Sequence, residues 1–149
     1  MQKIVIFLFF IFFTFSGLVK AKDEYFRTLR YDKVNLRQGP GKDYPIKIFY
    51  KKQFLPVLVQ DISDNFRKIR DHENNSGWVH VSQLTKKKAA IVTGEDLIMF
   101  KSSTIYSKPV VILKEGRLVK IDKCKNDWCK VRSGKFKGWV KNLNLWGLL

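Results

Sequence analysis

What this 149-residue sequence holds in small numbers narrows it first: two cysteines, two histidines, and 13 acidic residues against 29 basic ones. His72 and His80 fall in the first half, and Cys124 and Cys129 in the second. Cysteine nucleophiles need a thiolate held against an imidazole, with a third group to orient it, and this separation offers no such set. Two cysteines without a nearby histidine do not complete a zinc site either. Gly39-Pro40-Gly41-Lys42 lacks the Gly-Lys-Ser/Thr spacing of a phosphate loop, Pro40 removes a backbone donor, and no helix follows. Beyond the N-terminus no window sustains a helical apolar period for more than a turn or two. These absences point away from an enzyme, and no cofactor or metal is expected.

One long hydrophobic run exists, and it comes at the start. Met1-Gln2-Lys3 is short and positive, Ile4 to Phe15 is almost unbroken Ile, Phe, Val and Leu, and Val19-Lys20-Ala21 offers small-residue cleavage chemistry. That sequence of charge, apolar run and small residue describes a secretory signal over residues 1–21. A spanning helix needs ~20 apolar residues, and Lys20 stops this run early. An uncleaved anchor is the alternative; in either case the remainder is expected in the periplasm or outside the cell. Lys3 and Lys20 leave with the signal, so 29 basic residues fall to 27 against 13 acidic ones, a net +14. Such a charge favours anionic surfaces or simply solubility, while export argues against nucleic acid as a natural partner.

An internal repeat organises the rest. The first half reads Val34-Asn35-Leu36-Arg37-Gln38-Gly39-Pro40-Gly41, then Tyr44-Pro45, Phe66 and Gly77-Trp78-Val79. The second reads Leu97 to Phe100, then Trp128 and Gly138-Trp139-Val140. Val34 matches Leu97, Phe66 matches Trp128 and Trp78 matches Trp139, with an offset that shrinks by one at each step. Each copy is made of short runs rich in Val, Ile, Leu and aromatics, broken by Gly, Asn and Asp. Five or so short strands per copy close most readily as a small barrel, which removes exposed edges. Ala90–Val92 reads as the last strand of copy one, giving domains at 22–92 and 93–149 and a link so short that the two must touch.

The opening Val34 to Gly41 with Tyr44-Pro45, and the close Gly77-Trp78-Val79-His80 with Leu84, resemble the bacterial SH3 (SH3b) domain family. Pro40-Gly41 suits the centre of a type II turn with φ > 0 at Gly41, and Trp78 and Val79 should face opposite sides of a strand. Copy two departs at the opening, with Phe100-Lys101-Ser102-Ser103, but keeps Trp128 and Gly138-Trp139-Val140. Its Cys124-x4-Cys129 and Asn144-Leu145-Trp146-Gly147 resemble an exported tandem-SH3b subfamily typical of α-proteobacteria. The resemblance implies an all-β chain of two tandem small SH3-like barrels after the signal.

If Asn126-Asp127 forms the tip of a hairpin, Cys124 faces Cys129 with Cα atoms ~4.5 Å apart, at the near edge of the ~4.4–6.8 Å disulfide range. Aromatic and basic residues supply the binding candidates: Arg37, Tyr44, Tyr50, Arg70 and Trp78 in copy one, Trp128 and Trp139 in copy two. Phe49 and Phe66 are expected in the core, His72 in a solvated loop and His80 on the surface. An aromatic shelf flanked by Arg37 and Arg70 suits peptidoglycan or an extended envelope peptide; a scaffold docking an envelope enzyme or assembly partner is the alternative.

Overall fold

The computed structural model describes residues 23–148, so the signal expected over residues 1–21 lies outside the described residues. Within them lie fourteen strands in two antiparallel sheets of seven. The first sheet holds β1 (Tyr25–Leu29), β2 (Val34–Arg37), β3 (Ile46–Tyr50), β4 (Pro56–Ser63), β5 (Phe66–Arg70), β6 (Ser76–His80) and β7 (Leu84–Thr85). The second holds β8 (Ala89–Val92), β9 (Leu97–Phe100), β10 (Pro109–Leu113), β11 (Leu118–Lys125), β12 (Trp128–Ser133), β13 (Phe136–Lys141) and β14 (Leu145–Trp146). Strand order is β3-β2-β6-β5-β4-β1-β7 in one and β10-β9-β13-β12-β11-β8-β14 in the other, the same path drawn twice.

Alternation of apolar and polar residues makes each sheet one-sided, and the apolar sides converge. Leu29, Val34, Leu36, Val57, Val59, Ile69, Val79 and Leu84, drawn from six strands, bury into one cluster. Val92, Leu97, Met99, Val119, Cys129, Val131, Val140 and Leu145 do the same in the second half. A sheet whose strands all face one cluster must curl around it, and each half is accordingly a small barrel. The long strands β4 and β11 each carry a register shift at the same place, between Val59 and Asp61 and between Ile121 and Lys123. A bulge bends and twists its strand, which lets one strand pair with β1 at its start and β5 at its end.

The repeat extends to single residues. Arg37 pairs with Trp78 as Phe100 pairs with Trp139, and Phe66 pairs with His80 as Trp128 pairs with Lys141. The boundary needs correction, however. Ala89–Val92 does not finish the first barrel: Ile91 pairs with Leu118 and Trp146, and Val92 with Leu145, so it opens the second. Its counterpart is β1, which the repeat reading missed because Tyr25–Leu29 is half exposed whereas Ala89–Val92 is buried throughout. The link is therefore the lysine run 86–88.

Burial of β8 on both faces has a cause across the boundary. Ala90 and Val92 point into the second core, while Ile91 packs into the first, joined there by Leu118. Trp146 meets Phe26 edge to face at 4.8 Å, and Thr28 Oγ1 donates to Lys87 O at 2.7 Å. His72 does not sit in open solvent as expected; its ring lies 6.2 Å from that of Trp146. The barrels do touch, through an apolar seam.

The hairpin at Asn126-Asp127 forms as expected, with Lys125 opposite Trp128 and Cys124 opposite Cys129. The two sulfurs are bonded and the Cα atoms lie 4.0 Å apart. Mutating both cysteines to serine should lower stability by roughly 2 kcal/mol, the loop-closure contribution of so small a ring, measured by urea unfolding. A larger effect is expected at Gly77 and Gly138. A Cβ there would stand 2.6 Å from Arg37 O or 2.5 Å from Phe100 O, so each Gly→Ala change should cost roughly 1–3 kcal/mol by overpacking.

Candidate functional site

Strand parity builds the site. Ile69 and Val79 face the core of the first barrel, so Phe66 on β5 and Trp78 and His80 on β6 stand on the opposite face. Arg37 on β2 joins them as the neighbour of Trp78, with Lys68 on the other flank. Beyond Arg37 the chain turns through residues 38–45, closed by Gln38 N donating to Pro45 O at 3.0 Å. Between this loop and the short 3-10 turn Val81–Gln83 opens a groove of about 250 Å³, lined by Asn35, Arg37, Lys42, Phe66, His80 and Gln83.

The floor of the groove is aromatic and its rim is cationic. Phe66 is buried and meets the His80 ring edge to face at 5.2 Å. His80 Nδ1 lies 2.7 Å from Ser82 Oγ, which ties the ring to the 3-10 turn. Arg37 Nη1 donates to Tyr44 O at 2.8 Å, fixing the guanidinium beside the loop while leaving its other donors available. Lys42 supplies a second cation. A flat apolar floor with two cations above it suits a ligand that carries a carboxylate on an extended or ring-shaped body.

Tyr44 shapes this loop. A Cβ on Gly39 would fall 2.3 Å from the Tyr44 ring, and one on Gly41 3.2 Å from it. The two glycines are therefore required for the ring's close approach, not for the left-handed turn expected at Gly41, which is absent from the positive-φ glycines.

Several sequence-predicted residues do not gather here. Tyr50 is buried, and its hydroxyl donates to Asp71 Oδ2 at 2.9 Å. Asp71 in turn accepts from the backbone N–H groups of Glu73 and Asn75, closing the loop after β5. Burial, then the Asp71 charge, raises the Tyr50 pKa far above the ordinary tyrosine value. It is a structural group. Arg70 lies four residues beyond Phe66, roughly 13 Å along the strand at ~3.3 Å per residue, and donates to Asn74 Oδ1 at 2.9 Å. It therefore cannot flank the shelf that Arg37 borders. Phe49 is not core, being 55% exposed, and Phe66 is buried but on the outer face. Asn35, Lys42, His80 and Gln83 were missed as groove residues. For His80 the signal was present, since parity with Trp78 places it beside Phe66.

The second barrel treats the same positions differently. Phe100 replaces Arg37 and packs edge to face on Trp128 at 5.8 Å. Lys141, in the place of His80, holds its ammonium 5.9 Å from the Trp128 ring centre. Trp139 is flanked by Lys123 and Lys130 at 5.8 and 5.9 Å. An aromatic pair thus occupies the place of the guanidinium.

A family model described as bacterial SH3 domain matches residues 30–86 and again 95–147, together more than half of the chain. No curated protein matches. Among solved structures, the chain is similar to NlpC2 from Trichomonas vaginalis, at 10% identity and a TM-score of 0.37, covering 83% of this chain and 48% of that one. NlpC1 from the same organism gives 10% identity and 0.37, covering 85% and 46%. The chain thus spans about half the length of these proteins.

A test of the Tyr50 assignment follows from its titration. A raised folded pKa contributes stability that is complete below the unfolded value of 10.0 and declines as pH rises above it. Spectrophotometric titration should show one of the five tyrosines resisting ionisation until the chain unfolds, and Tyr50→Phe should remove that resistant fraction.

Proposed function

The chain belongs to the bacterial SH3 domain family, and from that premise we propose that it is an exported, non-catalytic binding protein for a carboxylate-bearing ligand of the cell envelope. Peptidoglycan, through its stem peptide, is the ligand class this reading favours. The observation that carries it is the groove of the first barrel, where Arg37 and Lys42 stand over Phe66 and His80. Arg pairs with carboxylates through its planar fork, and the aromatic floor accepts the apolar face of a peptide or sugar. The second barrel lacks the arginine and contributes mainly support through the seam.

A second reading is favoured by a different surface. Ile98 and Ile112 are cross-strand neighbours on β9 and β10, 43% and 57% exposed, with Val110 beside them. An apolar strip of this kind suits a protein partner, and under this reading the chain is a scaffold for an envelope enzyme or assembly partner.

Co-sedimentation of the chain from Lys22 onward with purified sacculi separates the two. Under the first reading a fraction of pelleting survives 1 M salt, where the screening length is ~3 Å, and Arg37→Gln reduces it about tenfold or more while Trp139→Ala leaves it unchanged. Complete loss of pelleting in salt, or equal loss in both variants, would overturn that reading and favour a protein partner.

A further inference from the structure

A larger cavity, about 460 Å³, opens elsewhere on the first barrel and shares no residue with the groove at Phe66. Tyr25, Arg27, Arg30, Arg67, Leu84 and Lys86 line it. Its arginines are held by backbone carbonyls. Arg27 Nη1 donates to Phe26 O at 2.9 Å. Arg30 Nε and Nη2 both donate to Leu84 O, at 3.2 and 3.1 Å. Arg67 Nη1 donates to the carbonyls of Asp64 and Phe66, each at 2.9 Å. Arg27 also lies over the Tyr25 ring, 4.4 Å from its centre.

Carbonyl acceptors orient a guanidinium without neutralising it. The ion pairs among the described residues join Lys114 to Asp96, and Arg132 and Lys137 to Asp122; none of them involves these four cations. Like charges gathered at one site repel, and an arrangement that orders them is best explained by an anion that they receive together.

The second barrel provides an internal control. Its register equates Arg27 with Ala90 and Arg67 with Cys129, both fully buried in the second core. Arg30 and Thr93 make the same backbone bond, to Gln83 O and Asn144 O respectively. Lys86 corresponds to Gly147, each following the strand pair that closes its barrel. The scaffold therefore does not require a cation at any of the four positions. Copy one has replaced small uncharged residues with three arginines and a lysine at one opening.

We propose that this cavity binds a phosphomonoester group, carried by a soluble sugar phosphate or by a lipid headgroup. Guanidinium forks match phosphate oxygens two at a time, and a dianion balances several of them at once. The volume lies within the range of small-molecule sites, ~300–1,000 Å³, leaving room for a body the size of one sugar beside Tyr25. This site stands independently of the groove and its ligand.

The test uses the chain from Lys22 onward, with ¹⁵N-labelled arginine side chains titrated with glucose 6-phosphate and, separately, with glucose. The Nε–H signals of Arg27, Arg30 and Arg67 should shift and saturate with the phosphate and stay still with glucose. Arg67→Gln and Lys86→Gln should each weaken the response about tenfold or more with the thermal midpoint retained, and Arg37→Gln should leave it unchanged. Flotation with phosphatidic acid vesicles, against phosphatidylcholine alone, reads the lipid source. Binding there that Arg67→Gln or Lys86→Gln abolishes supports the proposal with a headgroup as carrier, whereas saturation by the sugar phosphate without flotation assigns a soluble ligand. Lys86 lies in the link, so its variant retains the test if Arg67→Gln does not fold. No saturable shift together with no flotation overturns the proposal, as does a response that persists in both variants.

Discussion

Two strands cross in each barrel at a distance that only glycine permits, and much of the molecule depends on that crossing. On β6, the Cα of Gly77 lies beneath Arg37 O and the Leu36 side chain; on β13, Gly138 lies beneath Phe100 O and Met99. The contact joins the β2–β3 hairpin to the rest of the first sheet, since Arg37 and Trp78 are the residues through which β2 meets β6. It also sets the groove. Arg37 reaches Tyr44 O and stands beside the Phe66–His80 floor because its strand ends at the crossing. The Gly-Trp pairing in both copies thus has two separate causes: the glycine admits a neighbouring backbone, and the tryptophan lies on the outer face next to whatever residue that neighbour presents.

One scaffold carries two chemistries because the residue at the crossing is free to vary. Arginine at position 37 keeps donors at the rim of the groove, whereas phenylalanine at position 100 packs on Trp128. The same divergence recurs at the far opening of the barrel, where Arg27 and Arg67 stand in place of the buried Ala90 and Cys129. Cys129 instead bonds Cys124 across the neighbouring hairpin. Copy one has spent its variable positions on exposed cations, and copy two on burial and a covalent link.

The seam between the barrels explains features that neither barrel accounts for alone. Ile91 belongs to the second sheet by hydrogen bonding and to the first core by packing. Trp146, near the end of the described chain, covers Phe26 near its beginning. Gly147 adopts φ 129° where a Cβ would meet Ala89 O at 2.5 Å and Pro56 at 3.1 Å, so the last turn presses on both halves. Lysines of the link and of β11 meet over one ring: Lys87 and Lys120 stand 5.4 and 4.5 Å from the centre of Phe54.

The sequence by itself determined the all-β class, the duplication, its register from Val34 onward and the cysteine pair, because each is written in local pattern: alternation, turn residues and a short hairpin tip. Trp78 and Arg37 were also legible, since motif position and strand parity suffice for residues on one face. What only the tertiary structure decided was membership across distance. Ala89–Val92 was assigned to the wrong barrel because its apolar run records burial without recording what buries it. Tyr50 and Arg70 looked like ligand contacts because sequence shows an aromatic or a cation but not its partner; the partners are Asp71 and Asn74. The arginine-lined cavity was invisible for the same reason. Its residues come from the first strand, the middle of the chain and the link, and only the closing of the sheet brings them to one opening.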